Sequence, residues 1–430
     1  MRKQQWIDRL QNLALILLAL SAIFLFTCTP LFRNHFSDQV QALFTPHPQG
    51  GDSPQDASAY DAMPAAQVMI TANHEYGRCG QLSVSPGDPL CEQLAPLLRD
   101  AVGTAEAGRL TADLTLQNAL DDASVFLSYP TPLPLSVIAR WLDTQTDLDL
   151  TVRSIALSCH EGSWATLYLL DSAGSIYRCA TSLSSAAVRE TAEQFAPNSA
   201  LFAYETNYTT LTPYAILHVQ PGELPQLQSA LPEQYTLPAL LQVLDFNVHT
   251  QSRYPETDGT EVVVESPRTL RFSPGGTVSY TGEGEITASL FKVPCAGDEP
   301  TQAEALLACW HLATALTDAA GASPLVLRSA EPAPGGWRIS FGYQPLGWDV
   351  FFDQPSSELS SLEALSVTVT GRTITAFTYR CRAYSSTEDL SLLMPPVQAA
   401  AVASVYPGAG LTVGYADDGS GVLSARWLAG

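Results

Sequence analysis

Seven histidines are scattered along the chain, at His35, His47, His74, His160, His218, His249 and His311, and no two stand at i, i+4. A helical metal site needs that spacing, because it puts two imidazoles on one helix face. His74-Glu75 and His160-Glu161 are the only His–carboxylate neighbours. Adjacent side chains on a strand point to opposite faces, so neither pair converges on a proton. The chain has no G-x-S-x-G elbow, no H-E-x-x-H, no G-x-x-x-x-G-K-S/T and no G-x-G-x-x-G opening a helix after a strand. The residues point to a non-enzymatic protein with no catalytic residue, no metal site and no cofactor.

Eight cysteines are the other reactive groups: Cys28, Cys79, Cys91, Cys159, Cys179, Cys295, Cys309 and Cys381. None forms a C-x-x-C, which argues against a structural zinc site or a thioredoxin-like motif. An exported location permits disulfides. Cys79 and Cys91, Cys159 and Cys179, and Cys295 and Cys309 are the pairs nearest in sequence, although sequence does not fix connectivity. An odd number beyond Cys28 leaves at least one thiol over.

Three further stretches invite a binding role. Arg380 and Arg382 fall on one face of an expected strand over 373–384 and are candidate partner contacts, although such a pair is more often an ordinary polar sheet face. The run Asp417-Asp418-Gly419-Ser420-Gly421 lacks the spaced oxygens and closing Glu of a calcium loop and reads as a hairpin turn. Trp337, Phe341, Tyr343, Trp348, Phe351 and Phe352 cluster in sequence. Most read as core, with a partner or ligand groove as the other reading.

What positions these groups begins at the N-terminus. Residues 13–32 carry no charge and as a helix span roughly 30 Å, the thickness of a bilayer core. Leu13, Leu17, Leu20, Phe24 and Phe26 supply its apolar bulk, and Ser21 and Ala22 are small enough for close helix approach. Arg2, Lys3 and Arg9 precede it against Asp8 alone, which places the N-terminus in the cytoplasm and the rest outside. The apolar run is too long for a cleaved signal peptide, and no small-residue cleavage site follows it. Residues 1–34 are thus expected to be a stub and single-pass anchor.

Net charge is −22, with 43 acidic against 21 basic residues, and such a surface repels nucleic acid. Residues 35–65 read as a flexible linker rich in Pro, Gly, Ser and Asp. Two α+β domains are expected, over 66–235 and 236–430, made of antiparallel sheets with helices packed on one face. Strands are expected at 124–128, 152–159, 164–170 and 175–180, and later at 261–265, 269–273, 277–281 and 336–343. Helices are expected at 89–99, 110–120, 301–319 and 397–405, and 222–233 reads as loop or short helix.

The order of these features resembles the membrane-anchored YycH/YycI regulatory proteins of Gram-positive bacteria, and YycH most closely. The matching pieces are the single anchor, the segment 123–135 (ASVFLSYPTPLPL), the segment 257–265 (TDGTEVVVE) leading into 270–280, and 339–343 (ISFGY). That resemblance implies an α+β ectodomain and regulation of a sensor histidine kinase, WalK, that controls cell-wall metabolism. It also implies contact between the anchor and the kinase's transmembrane helices, and a second YycH/YycI-type protein as partner. It supplies no catalytic residue. The cysteines and the strong acidity depart from the family's pattern. An exported module binding cell-wall material is the alternative function.

Overall fold

A computed structural model describes residues 63–73, 77–160, 162–250, 252–284, 288–295, 297, 299–352, 362–408 and 410–429. The first part runs β1 (Ala66–Asn73), β2 (Gly77–Val84), α1 (Pro89–Gly103), β3 (Arg109–Thr111), α2 (Asp113–Leu120), β4 (Ser124–Pro134), α3 (Leu135–Trp141), β5 (Thr151–Ser158), β6 (Trp164–Asp171), β7 (Ile176–Ser184) and α4 (Ser185–Ala192). Its seven strands form one antiparallel sheet in the order β2-β1-β4-β5-β6-β7-β3.

Register explains what covers this sheet. Val68 pairs with Leu127 and Met69 with Phe126, so the two pairs face opposite sides. Cys91 and Leu94 of α1 meet Val68 and Leu127 on one side. On the other, a Cβ at Gly80 would touch Ala200, Val219 and Ile216, and Ser158 Oγ donates to the Ala119 carbonyl of α2 at 2.6 Å. Helices therefore lie on both faces here, not one. The reason is in β5 and β6, where Ile155, Ala156, Leu157, Leu167, Tyr168 and Leu169 are all buried and leave no wet side.

A connecting stretch carries β8 (Leu201–Phe202), β9 (Ile216–Leu217) and β10 (Pro225–Ala230). The chain continues through α5 (Leu237–Val243), β11 (Arg253–Pro255), β12 (Glu261–Glu265), β13 (Arg268–Phe272), β14 (Thr277–Gly282), α6 (Gln302–Ala320), β15 (Leu325–Ala333), β16 (Gly336–Tyr343), β17 (Asp349–Phe352), β18 (Leu365–Thr370) and β19 (Thr373–Arg380). Eight of these strands form an antiparallel sheet, β11-β12-β13-β14-β19-β18-β16-β15. This sheet does alternate. Leu270, Tyr280, Phe377, Val367 and Ile339 turn inward towards α5 and α6, while Arg271, Thr378 and Arg338 turn out. Helix α6 starts where expected, because Thr301 and Glu304 cap it reciprocally, and it ends at Gly321 in the left-handed conformation.

The last part holds β20 (Ala383–Leu390), α7 (Pro396–Ala403), β21 (Leu411–Asp417), β22 (Val422–Leu423) and β23 (Ala425–Ala429). Two small sheets close the fold, β20-β10-β22 and β17-β21-β23. The first joins residues 225–230 to strands some 150 to 200 positions later, across the boundary expected at 235/236. In the second, β17 runs parallel to β21, an exception to the antiparallel expectation. The fold is α+β, with seven α-helices among the described residues. Met63 and Ala65 are buried, and Ala65 N donates to Gln344 Oε1 at 2.7 Å, so packed chain begins inside the expected linker.

Candidate functional site

His160 finds a carboxylate distant in sequence. Its Nδ1 lies 2.8 Å from Asp122 Oδ2 in a half-exposed pair at the end of the first sheet. The adjacent Cys159 thiol is buried and donates to the Ser185 carbonyl, which holds it away from that pair. Among the described residues no three His, Cys, Asp or Glu side chains converge as a metal-binding group.

None of the three sequence-adjacent cysteine pairs is joined by a disulfide. Cys309 is buried on the inner face of α6, while Cys295 lies in the loop before that helix. Cys179 sits under Gly108. Burial pushes the Cys179 and Cys381 thiols up to about 11.

The two arginines do not share a strand face. Strand β19 stops at Arg380, whose guanidinium lies over the Phe352 ring at 5.1 Å. Cys381 N then donates to Gly276 O at 2.7 Å, and Arg382 N to Tyr343 Oη at 3.0 Å. These bonds turn the chain into a second sheet. There Arg382 Nη1 donates to the Gly275 and Cys381 carbonyls. Both side chains are thus engaged by the protein's own groups. Asp417 is a buried acceptor for Ser229 Oγ and Tyr384 Oη, each at 3.0 Å, which makes this turn a structural corner and no calcium loop.

Of the clustered aromatics, Phe341, Tyr343, Trp348 and Phe352 are buried. Trp310 packs on Phe341, and Trp337 Nε1 donates to Pro300 O. The four buried rings are core, while Trp337 and Phe351 are half-buried. The proposed anchor residues Leu13, Leu17, Leu20, Ser21, Ala22, Phe24 and Phe26 lie outside the described residues, within which no helix is long and apolar enough to cross a membrane.

Among the described residues, an ionic cluster around the buried Arg78 was not legible in sequence. Arg78, 7 % exposed on β2, pairs with Asp121 at 2.8 Å and with Glu205, and its Nε donates to Thr71 Oγ1 at 3.1 Å. The guanidinium also lies 5.3 Å from the Phe202 ring, beside a cluster of Phe126, Phe202, Tyr204 and Tyr214. It clamps the 201–217 stretch to the first sheet.

The surface feature that stands out is α7 and its flanks. Pro395 and Pro396 set its first turn, and Ala399, Ala400 and Ala403 face inward against Leu217 and Leu411. Its outward face is Val397, Gln398, Ala401 and Val402, continued by Val405 and Tyr406 and preceded by Leu392 and Met394, all exposed. Leu392 is 97 % exposed and Val405 72 %. Valine is a mediocre helix former, so helix stability is no reason for it on a wet face. From Leu390 to Ala416 there is no Asp, Glu, Lys or Arg, in a chain of net charge −22. That uncharged run was the sequence signal for this surface, and the helix reading of 397–405 passed over it.

No family model matches the chain, and no curated protein does. A solved structure that does match is that of YycH from Bacillus subtilis. It superposes with a TM-score of 0.54 at 9 % identity, over 88 % of this chain and 96 % of that one. On that likeness the fold of this protein is the YycH-type fold that its sequence motifs led us to expect.

Proposed function

We propose that this chain is a non-enzymatic, membrane-anchored accessory protein that regulates a sensor histidine kinase controlling cell-wall metabolism. The YycH-type fold over 88 % of the chain is the observation that carries the reading. The uncharged stretch 13–32 with its basic N-terminal flank supplies the tether, N-terminus inside and C-terminal body outside. In this reading residues 1–34 are stub and anchor, 35–65 the linker, and 66–235 and 236–430 two α+β halves of the ectodomain. Partners are the membrane, the kinase, and a second YycH/YycI-type protein.

Regulation by such a protein needs no reacting group. It needs two contacts whose strength differs between kinase states, since a ligand shifts an equilibrium only through differential affinity. The anchor, with Ser21 and Ala22 permitting close approach, is one contact, and the ectodomain the other. Four of the six aromatics that would line a cleft for wall material are buried in the core, which weighs against the binding-module alternative. The test is an anchor swap. Replacing residues 13–32 by an unrelated transmembrane helix should abolish the protein's effect on kinase phosphorylation in membranes. Unchanged kinase output after the swap removes the helix contact from the account.

A further inference from the structure

We propose that the outward face of α7 pairs with the same face of a second copy of this chain, about a two-fold axis. Three observations carry it.

The first is area. Leu392, Met394, Val397, Val402, Val405 and Tyr406 expose 97, 44, 54, 55, 72 and 59 % of their surfaces. Together they present on the order of 700 Å², more than a monomer usually leaves apolar in one patch and near the ~800 Å² each partner gives to a standard interface. The helix is about 12 Å long and carries Val397 and Val402, and the other four residues flank it within four positions of its ends.

The second is charge. A two-fold interface sets the same surface against itself, so any charge near the axis meets its like. Two copies of a chain at −22 repel over most of their surfaces. The Leu390–Ala416 run is where they can meet without opposing like charges. A basic partner would instead gain from carboxylates, and none of the face's own residues from Leu392 to Tyr406 carries one.

The third is rigidity. The face stands on a fixed base: Trp427 Nε1 donates to Met394 O at 2.8 Å, Thr210 Oγ1 to Ser404 O at 2.6 Å, and Gly408 N to Thr210 O at 2.6 Å. A preorganised surface loses little entropy on docking. Ala401, small and outward, lets two such helices approach closely.

The pairing goes beyond the kinase reading and neither needs it nor tests it. The experiment places the photo-crosslinker p-benzoylphenylalanine at position 406 of the full chain, in membranes, with the same label at position 254 as control. Tyr254 is equally exposed, at 51 %, on β11. Irradiation from position 406 should give a product of twice the chain mass containing only peptides of this protein, and position 254 should not. Val402→Asp should lower the yield at least ten-fold, and so should Val402→Lys. Co-expressing the two variants should raise the yield above either alone, because opposite charges then attract across the seam. No product from 406, a product with a lipid or a different protein, or a self-product indifferent to Val402→Asp each overturns the proposal.

Discussion

Replacing Arg78 by Met keeps an aliphatic stem and deletes the guanidinium, with its contact to the Phe202 ring. Glu205, whose side chain is 19 % exposed, then loses its cation but stays in place, because its Oε2 accepts the Phe202 amide at 2.8 Å. Removing one partner of a buried pair costs about 3–5 kcal/mol, since the other charge stays behind. Asp121 is 41 % exposed and turns to water, so its share is at most about 1 kcal/mol. The low end, about 3 kcal/mol, is therefore expected for Arg78→Met. At ~2.1 cal/mol/K of unfolding entropy per residue, a body of this size loses about 4 °C in Tm. Differential scanning calorimetry and urea midpoints measure it. Glu205→Gln should cost more than Asp121→Asn, and a double-mutant cycle should show Arg78 coupled chiefly to Glu205. An Arg78→Met variant within about 0.5 kcal/mol of the wild type, or Asp121→Asn as the costliest change, would refute the burial-ordered argument.

Other outcomes follow from the same geometry. The Cys179 and Cys381 thiols are held up to about 11 by burial, against 9.0 for an ordinary thiol. The unfolded chain then releases these protons first as pH rises, so their contribution is complete below pH 9 and is lost as pH climbs towards 11. Urea midpoints should fall over that window, and less steeply in a Cys179→Ala/Cys381→Ala variant; equal slopes would contradict this. Without reductant, denatured protein should show all seven described cysteines as thiols with Ellman's reagent, while folded protein protects Cys159, Cys179, Cys309 and Cys381. A deficit of two thiols would restore a disulfide. Gly276 has φ +90°, and a methyl there meets Arg382, Leu231 and, at 3.0 Å, Cys381 O. Gly276→Ala should cost about 1–3 kcal/mol by urea denaturation, and a neutral effect would show that the turn relaxes freely.

Local pattern made much of this fold legible. The 336–343 strand has its expected bounds because Ile339, Phe341 and Tyr343 alternate with polar or small residues. Helix α6 is framed by residues that cap it. Failures came where distant partners decide. Residues 124–134 were expected to stop as a strand at the prolines, yet β4 runs through them, because a register shift between Ser128 and Leu133 re-pairs Leu133 with Val152. Nothing local marks 225–230 as a strand, whose partners are Ser385 and Val422. Arg380 and Arg382 look alike in an alternation count, but the break between them is made by Gly276 and Tyr343. Of the side-chain clusters, sequence alone could not show His160 reaching Asp122, or Arg78 gathering Glu205 and Asp121.

The kinase reading meets its most direct test in mild-detergent capture of the full chain from its native membranes, alongside a version with an unrelated anchor. The account expects a sensor histidine kinase to co-purify with the native chain and to be lost or strongly reduced after the swap. Recovery of no kinase with the native chain, in cells that express one, would contradict it.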